Sequence, residues 1–599
     1  MLIFDIINED YYKRGKDMPT LNWIGKDKVI NHHHDVPYHV LERQYSFDEN
    51  GQHEEDNGSE NMIIHGDNLV ALKSLLPKYE GKIKCIYIDP PYNTGNEGWV
   101  YNDNVNDPRI KKWLGEVVGS EGEDLSRHDK WLCMMYPRLK LLHKLLSDDG
   151  AIFISIDDNE QANLKHICNE IFGSNCFVGN ISWQRTYSPR NDSKGISAET
   201  EYILVYSKKA DWAPKKLPRT AKMDSKYKNP DNDIAPWRTS DAFGPGAADH
   251  QGMVYAVQHP FTGKMIYPYN GAHWPIKQDE LLNIMQEWGV YELKELNDAK
   301  ERAAVCGIPE EEVREGVKGI VLSQPLEIAS KHAKEIYERG PWPRFFFTSK
   351  GLGGIARKTY LKDTDGRVVT NFWPYSEVGH TDSAKKELKS IFNDKVFDTP
   401  KPSSLIERII HVATNNDDIV LDSFAGSGTT ANAVVNLNNK EKSNRKFIEI
   451  EMMDYAETIT AERAKRVIQG YGEGKNAVEG TGGNFSFYEL GEPLLIGENL
   501  NENIGIDKLR EYIWYAETKA DYRENDNENE FYLGKNNGTD YYFYYDKDCV
   551  TTLDHTFLST INQKAEGYVI YADLCSLSDD ELSKFNIIFK KIPRDITRF

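Results

Sequence analysis

Two blocks of alternating strand and helix, separated by a long stretch without such a pattern, constrain this chain more than any other feature. In the first block, NMIIHGD, NLVALKSLLPKYEG and KIKCIYIDPPY read as strand, helix and strand over residues 61–92. HDKWLCMMYPRLKLLHKLLSDDG carries helical periodicity and closes at Gly150, where a C-cap is expected. AIFISID follows as a continuous apolar strand, the kind buried on both faces of a parallel sheet. NEQANLKHICNEIFG reads as a helix and EYILVYSKK, 201–209, as a strand. The second block, SLIERIIHVAT, DIVLDSFAGSGTT and RKFIEIE, reads helix, strand–turn–helix and strand. Alternating βα units predict an α/β protein with a doubly wound sheet and right-handed crossovers.

The stretch between the blocks is too long to be a loop in a compact domain, so residues 211–385 are expected to form a domain of their own. It is irregular and rich in Pro, Gly and aromatic residues. It holds an acid-rich helical insert at 279–338 and two basic stretches, APKKLPRTAK and RFFFTSKGLGGIARKTYLK. The expected division is an arm at 1–60, a first half of the α/β domain at 61–210, its second half at 386–490, and a separate α+β domain at 491–599. In the arm, His32, His33 and His34 read as a solvated loop, because three adjacent histidines cannot all face one metal from a regular element. No metal site is expected. The tyrosine-rich runs TDYYFYYD and GYVIYAD in the tail read as sheet packing.

No apolar run approaches the ~20 residues that span a bilayer. The N-terminal MLIFDIINEDYYKRGK lacks a basic n-region and a small-residue cleavage site, so no signal peptide is read. The seven cysteines include no CxxC pair, which argues against a zinc ribbon or a disulfide framework and for a reduced, cytoplasmic chain. The formal net charge of −21 does not exclude a nucleic-acid partner, since a basic cleft can coexist with an acidic exterior.

Two motifs carry chemistry. In IYIDPPYNTG, 86–95, an apolar run ends in an acid and two prolines. Proline cannot donate to a sheet ladder, so the strand stops and leaves Asp89 at its carboxyl end, followed by Pro90, Pro91 and Tyr92. In IVLDSFAGSGTTANAVV, 419–435, a strand ends at Asp422 and a glycine turn leads into a helix, the arrangement that lets a nucleotide-like cofactor approach the backbone. There is no G-x-x-x-x-G-K-[ST] and no G-x-G-x-x-G. Further on, Glu451 ends the strand of FIEIE, where an acid can bind ribose hydroxyls.

Together DPPY and FAGSGTT resemble the catalytic and cofactor motifs of S-adenosylmethionine-dependent DNA amino-methyltransferases, and FDTPKPSSLIERII, 397–410, resembles the segment that precedes the cofactor strand there. The order of catalytic motif, irregular domain and cofactor motif is that of the permuted beta group. GDNLVALKSL, DPPYNTG, VQHPFTGKMIYPYNGAHW and FNIIFKKIPRDI resemble the modification subunits of type III restriction-modification systems. The resemblance implies a Rossmann-like methyltransferase sheet with an inserted target-recognition domain. It also implies double-stranded DNA as substrate, pairing with a second copy through the residues beyond 490, and a separate restriction (helicase/nuclease) subunit where one is encoded alongside.

The chemistry explains the elbow. The lone pair of an exocyclic amine is delocalised into the ring, and two acceptors, Asp89 and the carbonyl of Pro90, can draw the nitrogen toward pyramidal geometry. Tyr92 offers a ring on which a flipped base can stack. The resemblance implies Asp422, Phe424, Gly426, Gly428 and Glu451 in the cofactor pocket, with Thr429 as a contact to the methionine carboxylate or simply a first-turn residue. Asp67 and Lys401 join them as further contacts. In the middle domain Arg344, Lys350, Arg357 and Lys358 are the expected DNA-binding residues. DPPY favours adenine N6 over cytosine N4. An orphan methyltransferase and a DNA-binding specificity module with vestigial catalysis are the alternatives.

Overall fold

The computed structural model describes residues 20–94, 125–188, 195–520, 522–523, 527 and 529–594. The stretch MLIFDIINEDYYKRGK and Gly95 of DPPYNTG lie outside them. The chain divides into two compact units, Met1–Lys215 with Val369–Phe599, and Lys216–Val368.

The larger unit is built on one eleven-stranded sheet. Its strands are β1 (His39–Asp48), β2 (Gly51–His53), β3 (Met62–His65), β4 (Ile83–Ile88), β5 (Leu146–Ile156), β6 (Phe177–Gln184), β7 (Thr200–Ser207), β8 (Phe372–Trp373), β9 (Ile419–Asp422), β10 (Lys446–Glu451) and β11 (Asn484–Pro493). Their spatial order is β8-β6-β7-β5-β4-β9-β10-β3-β11-β1-β2. From β5 to β11 the strands run parallel, and β7 and β1 flank them antiparallel. The helices are α1 (Asn68–Tyr79), α2 (Leu125–Leu145), α3 (Gln161–Phe172), α4 (Thr381–Phe392), α5 (Ser403–Ala413), α6 (Thr429–Glu441), α7 (Glu462–Gln469) and α8 (Ile506–Thr518). The central strands are unbroken apolar runs because both faces are covered. Ile86, Ile88, Ile152 and Ile154 share one core with Leu72 and Leu76 of α1, Leu139 and Leu142 of α2, and Leu164 of α3.

The structure departs from expectation in several places. Gly150 is not a helix cap: α2 ends at Leu145 and Gly150 lies inside β5. A Cβ there would stand 2.9 Å from the Ile83 carbonyl, so close approach of β4 accounts for the glycine. Residues 39–53 are not an arm, since β1 pairs along its length with β11. The three histidines are not a solvated loop: they lie in a single turn, His32–Asp35, with His32 and His33 buried. Lys73 donates to the His33 carbonyl at 2.9 Å, and burial pushes the His33 imidazole down to about 3, so it is neutral. The boundary expected at 490 falls within β11.

The stretch 279–338 is not an insert. It supplies Tyr291–Lys294 and Gly319–Leu322 to the four-stranded sheet of the smaller unit, and Leu281, Met285, Trp288 and Ile336 to its core. In the tail, a four-stranded sheet runs in the order Tyr532–Asn536, Thr539–Phe543, Gly567–Ala572, Ile587–Lys591. Tyr542 is buried in it, and Tyr545, just beyond the Thr539–Phe543 strand, is buried as well. The tail packs on its own chain: the Tyr515 hydroxyl of α8 donates to Glu80 after α1, and Tyr512 lies against Tyr38. No helix among the described residues is long and apolar enough to cross a membrane.

Candidate active site

From β4 the chain winds on to β5 on one side, and from β9 to β10 on the other, so the crevice between β4 and β9 is where the connections diverge. Open α/β sheets bind ligands at such a point, beyond the carboxyl ends of the strands. Val420 pairs with Cys85 and Leu421 with Ile86, so Asp89 and Asp422 emerge side by side although far apart in sequence.

Lys401 and, more weakly, the Tyr92 hydroxyl act on the Asp89 carboxylate. Its Oδ2 accepts from the Lys401 ammonium at 2.5 Å, whereas Oδ1 is buried and, among the described residues, accepts no hydrogen bond. Burial pushes this carboxyl above the ordinary range; Lys401 opposes the push and Glu201 adds to it. The Trp131 indole N–H donates to the Pro91 carbonyl at 2.7 Å and pins the elbow. The Tyr92 hydroxyl donates to Glu201 at 3.1 Å, and Arg185 donates to the other oxygen of Glu201 at 2.5 Å. Asn93 follows in the left-handed region, φ 61°, fully buried, and its amide donates to Glu160. Glu160 also accepts from His128 at 2.6 Å. A non-glycine residue held there costs on the order of 1–3 kcal/mol, which the burial and this pairing offset.

On the β9 side, Asp422 is buried and holds the turn together. It accepts from the Phe424 N–H at 3.0 Å and from the Thr430 hydroxyl at 2.6 Å. Glu451 accepts from the Gly426 N–H at 2.7 Å and from the Met453 N–H at 3.0 Å. The Met452 N–H and the Tyr455 hydroxyl also bond this carboxylate, so a ligand hydroxyl would take the place of one of these donors. At Gly426 (φ +54°) a Cβ would stand 3.4 Å from the Phe397 ring and 3.9 Å from the Phe424 carbonyl, ordinary contact distances. Gly428 is different: a Cβ there would meet the Thr460 carbonyl at 2.7 Å, so this glycine serves the packing of the π-helical segment Ala456–Ala461. Phe424 is buried in the core. Thr429 accepts from Arg463 at 2.8 Å. Asp67 caps α1, accepting from the Leu69 N–H at 2.8 Å. Lys401, expected among the cofactor contacts, pairs with Asp89 instead.

Residues that the motifs did not single out complete the site. Arg463, buried in α7, holds Thr429 and Ser427. Asn68 donates to the Ser423 carbonyl at 2.8 Å and accepts from Arg138 at 2.6 Å, which ties α1 to the glycine turn. Glu201 had one signal, a charged residue opening an apolar strand. Arg463 had none, being one cation on an amphipathic helix.

In the smaller unit Arg344 and Lys350 are exposed and Arg357 is half-buried. Lys358 is not a DNA-facing residue. It is buried, with its ammonium 2.5 Å from both Asp231 and Asp233 and 2.6 Å from the Trp342 carbonyl, so its donors are consumed inside the unit. Phe345, Phe346 and Phe347 are core residues as well.

Burial pushes the Asp422 carboxyl up to about 7 and that of Glu449 up to about 8. Both bind a proton more tightly folded than unfolded, so stability is expected to fall as pH rises from the ordinary carboxyl range through these values. Glu449→Gln keeps an acceptor for the Ala431 N–H, which Glu449 now receives at 2.7 Å, and removes the charge. Thermal midpoints between about pH 5 and 9 should decline less steeply in this variant. Equal slopes would show that Glu449 is not the group that titrates.

Residues 83–518 match the family described as DNA methylase. The chain is 34% identical over 407 residues to the type III restriction-modification enzyme StyLTI Mod subunit of Salmonella typhimurium, covering 66% of this chain and 52% of that protein. It is 29% identical over 475 residues to the EcoP15I Mod subunit of Escherichia coli, covering 75% and 67%. To the type II methyltransferase M.KpnI of Klebsiella pneumoniae it is 31% identical over 400 residues, covering 66% and 81%. The chain thus spans about half the length of the Salmonella protein. The family match takes in both Asp89 and the Gly426–Gly428 turn, the two motifs that the sheet brings together, and the chain belongs to the N6/N4 DNA methylase family.

Proposed function

We propose that the chain transfers a methyl group from S-adenosylmethionine to the N6 amine of an adenine flipped out of double-stranded DNA. On this reading it is the modification and specificity subunit of a type III restriction-modification system, working as two copies alongside a separate restriction subunit. The observation that carries the reading is the buried Oδ1 of Asp89, which accepts no hydrogen bond among the described residues, beside the glycine turn. A buried acceptor without a donor is costly, and a substrate N–H would satisfy it.

The residues of the β9 side fit the cofactor: a left-handed glycine at Gly426 whose missing side chain leaves room before Phe397, a strand-end carboxylate at Glu451, and Phe397 facing the turn. When bound, S-adenosylmethionine supplies an electrophilic methyl group on a sulfonium. The chain's own residues do the rest. Asp89 Oδ1 accepts one N–H of the amine and the Pro90 carbonyl the other, which aims the lone pair. The nitrogen would gain the methyl and give up one proton, which the Asp89 carboxylate holding that N–H can accept. Tyr92, its hydroxyl tied to Glu201, presents a ring for stacking on the order of 1–3 kcal/mol.

The test is label transfer from S-adenosylmethionine to DNA by the full chain, followed by digestion to nucleosides. Label in N6-methyladenine is expected. Label in N4-methylcytosine would reassign the target, and no label would leave a DNA-binding specificity module. Light scattering on the same sample should give the mass of two copies, and a monomer would remove that part of the reading.

Arg344→Ala with Lys350→Ala should weaken binding evenly across DNA sequences. The salt slope should fall by about 1 for each phosphate that is no longer neutralised. Unchanged affinity and slope would take both residues out of the DNA interface.

A further inference from the structure

We propose that Lys401 is a positioning residue for the transfer: it clamps Oδ2 of Asp89 so that Oδ1 alone is offered to the amine. This rests on the methyltransferase reading above and deepens it.

The geometry is specific. The ammonium lies 2.5 Å from Asp89 Oδ2, 3.9 Å from Glu201 and 5.0 Å from the centroid of the Tyr92 ring, and its side chain is 11% exposed. The backbone is equally constrained. Lys401 precedes Pro402, which restricts it to extended conformations, and Pro402 opens α5. The Lys401 carbonyl faces the Thr429 hydroxyl at 3.5 Å. One residue therefore touches the glycine turn through its backbone and the catalytic acid through its side chain.

An unclamped carboxylate at a strand end can rotate and present either oxygen, or both in turn. Transfer requires one acceptor in a fixed place, and displacement by about 1 Å is enough to cost about 100-fold. The surroundings also call for a cation. Asp89 is faced by Glu201 from β7, Asp422 from β9, Tyr87 of its own strand, and Tyr92. Of the cations near this group, Arg185 is engaged by Glu201, and Lys401 is the one on Asp89. Burial works to deprotonate Lys401, but Asp89 and Glu201 outweigh it and keep the amine charged. Without that charge Asp89 would take up a proton more readily, and an acid that must be ionised to accept an N–H would fail at a higher pH.

The experiment compares the full-length wild type with Lys401→Met and Lys401→Arg. Methyl transfer is measured across pH, and S-adenosylmethionine affinity is measured by calorimetry without DNA. Lys401→Met should lower kcat about 100-fold. It should move the acid limb of the kcat profile up by about 1–3 pH units and leave cofactor affinity nearly unchanged. Lys401→Arg should return the limb close to the wild-type position, with kcat only partly restored because a fork replaces a point charge. Should Lys401→Met fail to fold, Lys401→Gln takes its place. An acid limb that stays where it was, or a loss of cofactor affinity as large as the loss of rate, overturns the proposal while a methylating wild type upholds the function. A wild type that transfers no methyl removes both.

Discussion

Asp89→Ala is expected to reduce methyl transfer by at least about 100–1000-fold, the range seen when one preorganised electrostatic contact to a reacting group is deleted. Cofactor affinity should change little. The two effects separate because of where the atoms stand. Oδ2 is engaged by Lys401 and Oδ1 accepts no hydrogen bond among the described residues, whereas the glycine turn is held by Asp422, Glu451 and Thr460. Asp89→Asn is the sharper variant. It preserves size but turns one oxygen into a donor that cannot accept an N–H, and it leaves the Lys401 ammonium with Glu201, 3.9 Å away, in place of its nearest anion. It should be nearly as inactive as the alanine. Both are read by label transfer and by calorimetry with cofactor alone. Retention of a substantial fraction of activity by either would remove Asp89 from the chemistry, and an equal loss of cofactor affinity would move it into the cofactor pocket.

What the sequence disclosed depended on whether the signal was local. The elbow after β4 was legible because two prolines and an acid specify a strand end without reference to anything else. The turn after β9 was legible for the same reason, and the fold class followed from the apolar runs of β4, β5, β9 and β10. β1 was hidden: in HVLERQYSFD the apolar Val40 and Leu41 are cut off from Tyr45 and Phe47 by Glu42, Arg43 and Gln44, so no sustained apolar run marks the strand, although Tyr45, Ser46 and Phe47 are buried against β11. Lys358 misled because a lysine in a basic stretch looks solvated, and its partners Asp231 and Asp233 lie more than a hundred residues earlier. Gly428 had the right residue for another reason, the carbonyl of Thr460 behind it. Glu201, Asn68 and Arg463 could not be found at all from spacing, since each acts on an element distant in the chain.

Arg463 should be the most costly of these to remove. Its side chain is fully buried in α7. Nη1 donates to the Thr429 hydroxyl at 2.8 Å, to the Ser427 hydroxyl at 3.2 Å and to the Ser427 carbonyl at 3.3 Å, while Nη2 reaches Glu387 at 3.4 Å. One guanidinium thus joins α4, the glycine turn and the start of α6. Arg463→Met keeps much of the volume and removes every donor, so the turn loses its clamp while Glu387 keeps the Asn432 amide and the Ser403 N–H. Hydrogen bonds from a charged donor are worth about 1.5–3 kcal/mol, which sets the expected loss. Denaturant midpoints of the variant and the wild type measure it. Arg463→Lys would keep the charge but not the fork that spans Ser427 and Thr429, and should recover only part of the loss. Glu449 adds a second signature. Arg463 draws its pKa down against the stronger effect of burial, so without the guanidinium the folded carboxyl holds its proton to higher pH. The decline of stability with pH should then extend further upward than in the wild type. The turn that Arg463 supports is also the one that would face the cofactor, so S-adenosylmethionine affinity should fall along with stability, unlike in Asp89→Ala. A variant with wild-type midpoint and wild-type cofactor affinity would mean that Ser427 and Thr429 hold the turn without it.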